Sequence, residues 1–167
     1  SEARNRINAM ALIHSQLYES RNLSEVNMKR FIERLLTHLF QCYPVQDTKV
    51  TPVVHVVDYP LPLSIAVPVG LITNELLANA FKHAFVNREE GNIAVILGVS
   101  EKGVVSLRVS DDGVGLPDGF DLNTINTLGL RMVKIMVEDQ LQGSIVITRN
   151  EGTTFKIAFE MANGERK

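Results

Sequence analysis

The chain has 167 residues, of which 45% are hydrophobic, so it can bury one good core, whereas a second independent domain would be cramped. Its net charge of -2 at pH 7 creates no broad basic field, which argues against nucleic acid as a partner. The single cysteine, Cys42, excludes an internal disulfide framework and is typical of a reducing cytoplasm. No apolar run approaches the roughly 18 residues of a membrane span and no signal peptide precedes the first predicted helix, so we expect a cytoplasmic chain without membrane contact.

Two helices are predicted at the start of the chain. The first, from about residue 2 to residue 20, carries a stripe of side chains at helical spacing: Ile7, Met10, His14 and Leu17. Ser24 offers an N-cap for the second helix, which is predicted to end before Pro44. Residues 1–45 are therefore predicted to form a helical appendage or linker.

From about residue 50 the pattern changes to β-branched runs interleaved with helices. Strands are predicted at 50–57, 93–99, 104–109, 144–148 and 153–159, and helices near 64–86 and 129–141. This order predicts an α+β fold, a two-layer α/β sandwich with an N-terminal helical appendage. Residues 46–163 are expected to form this domain, and residues 164–167 a short tail.

Four polar side chains of the helix predicted near 64–86 are expected to share one stripe, at spacings of four, three and one: Glu75, Asn79, Lys82 and His83. Asn79 can give Mg²⁺ a hard oxygen ligand, and Lys82 can meet phosphate as a point charge. Glu75 can orient or deprotonate a nucleophile. The set suits ATP with its metal ion, although the solvated face of an ordinary amphipathic helix has a similar composition.

The second candidate segment is Asp-Asp-Gly-Val-Gly at residues 111–115, directly after a predicted strand. Gly113 and Gly115 allow positive φ and a close approach of the backbone to a ligand. Asp111, at the end of the strand, can accept a hydrogen bond from an exocyclic amine, which would select adenine over guanine because guanine presents a carbonyl there. Taken alone, Asp-x-Gly-x-Gly is also a common hairpin-like turn.

These segments belong to a series of four: Glu-x-x-x-Asn-Ala at 75–80, Asp-x-Gly-x-Gly at 111–115, Leu-Gly-Leu at 128–130 and Gly-Thr-Thr-Phe at 152–155. In this order they resemble the four boxes of the GHKL ATPases, which include gyrase, Hsp90, MutL and the histidine kinases. Residues 9–18 and 68–76 further resemble sensor histidine kinases of the second HisKA subfamily, relatives of the HWE kinases. The chain has no Trp, which argues against the HWE group proper.

The resemblance implies the Bergerat-type ATP-binding fold, with ATP and Mg²⁺ as cofactors. It implies that Glu75 and Asn79 are catalytic, that Asn79 binds the metal, and that the nucleotide is bound by Asn79, Lys82, His83, Asp111, Gly113, Gly115, Leu128, Gly129, Leu130 and Thr153. Gly129 would place a helix N-terminus against the phosphates, with Arg131 adding a charge. Thr153 would join Asp111 at the adenine edge, although a Thr is also an ordinary strand residue. Thr127 stands where the family usually has Gly, and residues 113–128 look like a mobile loop that can close over nucleotide.

Transfer of the γ-phosphoryl group to a histidine, and then to a response regulator, is the reaction that the resemblance implies. The acceptor of this subfamily resembles His-Arg followed by Lys-Asn or Asn-Asn, and no histidine of the chain has those neighbours. His14, His38 and His55 are predicted to be structural, in the core or at an interface. Because the chain begins Ser1-Glu2-Ala3 and not with Met, we expect a piece of a longer protein. The resemblance implies that this protein is a homodimer, that residues 1–45 are part of its dimerisation region, and that an upstream helix carries the acceptor.

Two alternatives stay open at this point. One is another GHKL enzyme, either a serine kinase of the anti-sigma-factor type or an ATPase clamp. The other is a non-enzymatic, nucleotide-sensing scaffold whose helices only dimerise and dock a partner.

Overall fold

The computed structural model describes residues 2–19, 24–43, 48–124 and 127–162. The elements in chain order are α1 (Glu2–Glu19), β1 (Glu25–Val26), α2 (Met28–Cys42), β2 (Lys49–Val56), β3 (Leu61–Pro62), α3 (Leu63–His83), β4 (Glu90–Val99), β5 (Val104–Asp111), α4 (Leu128–Ile135), a π-helical continuation of α4 (Met136–Gln140), β6 (Ser144–Thr148) and β7 (Thr153–Glu160). The predicted strands and helices are all present, most of them with shifted ends. The two-residue strands β1 and β3 were not predicted, because so short a strand has no measurable periodicity.

The main sheet has five strands in the order β2-β4-β5-β7-β6. Strand β2 pairs parallel with β4, and the other neighbours pair antiparallel. Alternate residues of the central strands β4, β5 and β7 are buried, as Phe155, Ile157 and Phe159 are in β7, and those of the edge strands are at most half-buried. These apolar side chains share one core with the helices, whereas the alternating residues of the other face are mostly exposed. The α+β two-layer architecture is therefore confirmed.

Helix α3 is the centre of the molecule, and most of its residues are buried. It is long and apolar enough to cross a membrane by length and composition, so the expectation that no apolar run approaches a span was wrong. The same test is passed by core helices of soluble proteins, and 72% of the apolar window of α3 is buried inside the protein. The helix is apolar on most sides because α1, α2 and the sheet pack around it.

Helices α1 and α2 pack on α3, but the predicted cap of α2 was wrong. Asn27, not Ser24, caps α2: its side chain accepts a hydrogen bond from the Arg30 N–H at 3.0 Å. The buried face of α1 is formed by Asn5, Ala9 and Ile13, spaced by four residues. On the predicted stripe of α1, Ile7 is 67% exposed, Met10 is 37% exposed and His14 is exposed, and the side chain of Leu17 lies outside the described residues.

Candidate functional site

A cavity of about 300 Å³ lies between α3, the end of β5, the loop that follows it, the start of α4 and the start of β7. Most of its wall is apolar, including Leu76, Ala80 and Val109. Six of the predicted site residues line it: Asn79, His83, Asp111, Gly115, Leu130 and Thr153. An apolar slot with a few polar groups at its edge suits a flat heterocycle that carries a polar substituent.

The stripe predicted on α3 splits into two neighbouring faces. The cavity is lined by a series at helical spacing, which is Leu76, Asn79, Ala80, His83 and Ala84. Glu75 and Lys82 do not line it. At about 100° per residue these two positions, seven apart, project in nearly the same direction, just outside the arc that faces the cavity. The helix therefore presents an amide and an imidazole to the cavity, and the acid and the ammonium to its flank.

Asp111 faces the cavity from the last position of β5. One carboxylate oxygen accepts the N–H of Gly113 at 3.0 Å, and the strand register places Asp111 directly opposite Thr153 of β7. Burial raises the pKa of Asp111, and backbone hydrogen bonds from Gly113 and Thr153 oppose that rise. The antiparallel pairing of β5 with β7 thus brings together two predicted residues that are 42 positions apart in the chain.

The neighbouring carboxylate, Asp112, has a structural contact instead. It accepts the N–H and the side-chain amide of Asn92 in β4, both at 2.7 Å. Desolvation would raise its pKa, but the two bonds from Asn92 and the charge of Arg88 outweigh that effect and lower it. Sequence reasoning missed this contact, because nothing local indicates that residue 92 lies beside residue 112.

The glycines of the boxes have different structural roles. Gly115 has φ +78° and lines the cavity. Gly113 does not line it: a Cβ there would overlap the carbonyl of Ala84 at the end of α3. The N–H of Val114 also bonds that carbonyl, at 2.8 Å. Gly113 is therefore required by the packing of the loop on α3.

The start of α4 reaches the cavity through some of its predicted residues. Leu130 and Thr127 line the wall, whereas Leu128 is 60% exposed and does not. Gly129 is buried and does not line it either: a Cβ there would overlap the carboxylate of Glu75. Arg131, predicted to add charge, is exposed. Thr127 has extended backbone before the helix, with φ -72° and ψ 131°.

Glu75 and Lys82 both face the N-terminal helices. The guanidinium of Arg6 in α1 donates to both carboxylate oxygens of Glu75, at 2.6 Å and 3.0 Å. The ammonium of Lys82 lies 5.7 Å from the ring centroid of Tyr43, which follows α2. Neither contact was predicted, since Arg6 and Tyr43 are far away in the chain and no motif contains them.

The loop after β5 forms part of the wall. Leu116, Pro117 and Phe120 line the cavity. The Arg149 guanidinium donates to the carbonyl of Phe120 and lies 5.8 Å from the centroid of its ring. The loop was predicted to close over a nucleotide, and that motion stays a prediction; residues 125 and 126 lie outside the described residues.

The histidines occupy different environments. His38 is half-buried, 3.1 Å from the side-chain amide of Asn8 and 3.3 Å from the sulfur of Cys42, so the structural interpretation holds for it. His14 and His55 are exposed, so they do not lie in the core of the chain, and their predicted place at an interface stays a prediction. His83 is exposed and lines the cavity.

Within the described residues, no group of three or more His, Cys, Asp or Glu side chains can hold a metal ion. The amide of Asn79 is the oxygen donor that α3 presents to the cavity. This donor set fits Mg²⁺, which keeps several waters and is bound through few protein ligands together with substrate phosphates.

Comparisons with known proteins agree with the fold. A family model for the "histidine kinase-, DNA gyrase B-, and HSP90-like ATPase" matches residues 65–163, and a histidine kinase model, HisKA_2, matches residues 1–43. The chain belongs to the first of these families, whose ATPase domain implies a nucleotide ligand. The resemblance to histidine kinases of the second HisKA subfamily is confirmed, and it extends over both parts of the chain.

Among curated proteins, the sensor histidine kinase PdtaS of Mycobacterium tuberculosis is 30% identical over 166 residues, covering 91% of this chain and 30% of the relative. Blue-light-activated histidine kinase 2 of Erythrobacter litoralis is 33% identical over 89 residues, covering 53% of this chain and 25% of the relative. This chain therefore spans under a third of the length of these relatives.

Solved structures support the fold. The histidine kinase domain of the EL346 blue-light-activated kinase from Erythrobacter litoralis has a TM-score of 0.83 at 24% identity, covering 96% of this chain and 75% of that one. The histidine kinase AdeS of Acinetobacter baumannii has a TM-score of 0.68 at 20% identity, covering 95% and 76%.

Proposed function

We propose that the chain is the catalytic, ATP-binding part of a sensor histidine kinase, which transfers the γ-phosphoryl group of Mg-ATP to a histidine outside this chain. The observation that carries the proposal is one cavity lined by Asp111, Asn79, His83 and the start of α4. The matches to histidine kinases at both ends of the chain support it. The relatives named above are histidine kinases, so the alternatives of a serine kinase, an ATPase clamp or a scaffold gain no support from them.

Asp111 is proposed to select adenine. Its half-buried carboxylate accepts a hydrogen bond from the exocyclic amine of the base, and guanine, with a carbonyl at that position, leaves the acceptor without a donor. Thr153, directly across the strand pair, adds a hydroxyl at the same edge. The apolar wall that includes Leu76 and Phe155 covers the ring.

The phosphates are proposed to lie toward α4 and the end of α3. Asn79 supplies an oxygen ligand for Mg²⁺, and the metal would neutralise phosphate charge during the transfer. The first turn of α4, from Leu128 through Leu130, offers backbone N–H groups that have no acceptor within the helix, together with the positive end of the helix dipole. His83 adds a donor at the wall. The protein contributes mainly position and charge neutralisation.

Lys82 stays a proposed phosphate ligand, and this role requires its ammonium to leave the ring of Tyr43. Gly113 and Gly129 are proposed to act through shape, because a side chain at either position would overlap a neighbour. The role proposed for Leu128 is limited to its backbone, since its side chain is 60% exposed.

The partners are proposed from the relatives, which are sensor histidine kinases. They are an upstream helix with the acceptor histidine, a response regulator that receives the phosphoryl group, and a second copy of the protein. The exposed side chains of Ile7 and Met10 on α1 support dimerisation, because two large apolar groups one helical turn apart gain by being covered. The domain boundary near residue 45 and the cytoplasmic location are also proposals.

The test has a binding arm and a transfer arm. Calorimetry with Mg-ATP should show binding at micromolar or weaker affinity, as expected for a shallow site, and no heat up to millimolar ATP would refute the proposal. Incubated alone with γ-labelled Mg-ATP, the chain should acquire no acid-labile, base-stable phosphate, whereas the full-length protein should become labelled. Labelling of His14 in the isolated chain would contradict the assignment of the acceptor to an upstream helix.

A further inference from the structure

The ion pair between Arg6 and Glu75 joins the N-terminal helix to the cavity-forming helix α3. Both carboxylate oxygens accept from the guanidinium, at 2.6 Å and 3.0 Å, and the side-chain amide of Asn74 lies 3.4 Å from the first of them. The side chains of Arg6 and Glu75 are 16% and 9% exposed. Because the planar guanidinium donates to both oxygens, it fixes the orientation of the carboxylate, which a lysine ammonium in its place would not do.

The pair lies beside the proposed phosphate end without lining the cavity. A Cβ on Gly129 would overlap Glu75 Oε2 and would come within 3.4 Å of the Arg6 guanidinium. Gly129 is adjacent in sequence to Leu130, which lines the wall. Asn79, one helical turn beyond Glu75, also lines it. The carboxylate is thus packed against the first turn of α4, and Arg6 holds it there.

We propose that Arg6 is a positioning residue that withholds Glu75 from general-base catalysis, so that the domain keeps bound ATP from reacting with water. This inference rests on the proposed function. In hydrolysis, a water oxygen forms a bond to the γ-phosphorus, the bond from that phosphorus to the β,γ-bridging oxygen breaks, ADP leaves, and a base takes the proton of the water. Glu75 is the only carboxylate of α3, but its two oxygens are directed to Arg6 of α1 and to the first turn of α4.

Removal of Arg6 frees this base. The Arg6→Ala variant should hydrolyse ATP about tenfold faster or more, since a positioned general base contributes on the order of 10²–10⁴ in rate. The double variant Arg6→Ala with Glu75→Gln should return to the parent rate, because the gain requires a carboxylate. Arg6→Lys should fall between Arg6→Ala and the parent, as an ammonium cannot bind both oxygens as a fork. Arg4→Ala, at an exposed position of the same helix, is the matched control and should leave the rate unchanged.

Each variant is measured for phosphate release and, separately, for binding of Mg-ATP. A faster release that depends on Glu75 supports the proposal. An unchanged rate in folded Arg6→Ala and Arg6→Lys variants that bind Mg-ATP overturns it, as does a gain that persists after Glu75→Gln. If Arg6→Ala does not fold, Arg6→Lys decides by the same criteria. Failure of the parent chain to bind Mg-ATP refutes the proposed function instead, and the two failures are therefore distinguishable.

Discussion

Two adjacent carboxylates, Asp111 and Asp112, have opposite electrostatic environments. Burial raises the pKa of Asp111, while hydrogen bonds from Asn92, with a further contribution from Arg88, lower that of Asp112. Consecutive side chains of an extended backbone project to opposite sides. Asp111 therefore projects into the cavity, whereas Asp112 projects away from it and contacts Asn92 of β4. Their substitution should therefore affect different properties, ligand affinity in one case and stability in the other.

Asp111→Asn should weaken Mg-ATP binding about tenfold or more and leave the fold intact. The Asn amide has similar shape, but it replaces a charged acceptor, whose hydrogen bonds contribute roughly 1.5–3 kcal/mol. Calorimetry measures the affinity for Mg-ATP, and circular dichroism measures the midpoint of thermal unfolding. The control is Asp139→Asn, at an exposed position. Equal affinity in variant and parent would remove Asp111 from the proposed adenine site.

Asp112→Ala should lower the free energy of unfolding by about 1–3 kcal/mol at pH 7, because it removes two charge-assisted bonds from Asn92. A carboxyl whose pKa is lower in the folded state stabilises above its unfolded value, near 3.8, and loses that contribution as the pH falls through the folded value. Urea denaturation should therefore give the whole difference in free energy of unfolding between parent and variant at pH 7. This difference should decrease only below about pH 4. A difference that stayed constant into that acid range would show that the charge of Asp112 contributes nothing.

At the scale of elements, the conformation of the Asp-x-Gly-x-Gly segment at 111–115 depends on how its loop packs against the end of α3. The N–H of Val114 bonds the carbonyl of Ala84, and Gly113 packs on the same peptide group without space for a Cβ. A glycine in a nucleotide-binding box can thus be required for contact between two elements and not for contact with the ligand. The cavity keeps its shape because the loop is held on α3 at this point.

Gly113→Ala should destabilise the protein by about 1–3 kcal/mol, the usual cost of overpacking a site that has no space. Its affinity for Mg-ATP should fall as well, since the loop that includes Leu116 must move away from α3. Gly98→Ala is the control, because a Cβ there meets only the Ser106 hydroxyl oxygen at 3.2 Å. Chemical denaturation measures the stability of both variants, and calorimetry measures their affinity for Mg-ATP. Equal stabilities of the two variants would contradict the role of Gly113 in packing the loop on α3.

At the scale of the whole molecule, the helices of residues 1–43 and the sheet share one hydrophobic core. Leu35 and Leu39 of α2 are fully buried in the same cluster as Leu77 of α3 and Leu107 of β5. Arg6 adds a polar contact across the same junction. The N-terminal helices therefore support the wall of the cavity, even though the two family models divide the chain between residues 43 and 65.

Leu39→Ala should lower the free energy of unfolding by about 2–5 kcal/mol, because it leaves a cavity between α2 and α3. As the core is shared, α2 and β5 should unfold in one transition. Far-UV circular dichroism reports the helices, and hydrogen exchange of the β5 amides reports the sheet. Loss of α2 with unchanged protection of β5 would instead support separate units on either side of residue 45. Lys29→Ala, at an exposed position of α2, is the control.

The sequence by itself determined the order of the longer elements and the position of the boxes. Apolar side chains in β5 and β7 alternate because a strand places neighbours on opposite faces, and this pattern is local. Asp111 was predicted at a strand end with glycines after it, and the structure has it there. Such features depend on neighbours a few positions away, so they can be read from the chain.

Only the tertiary structure decided which of several overlapping helical faces meets which neighbour. On α3 it directs Asn79 and His83 to the cavity, and Glu75 to Arg6, 69 positions earlier in the chain. On α1 it buries Ile13 and exposes Ile7. Helical periodicity gives the angle between side chains, but burial depends on the packing of all surrounding elements, and that packing is non-local.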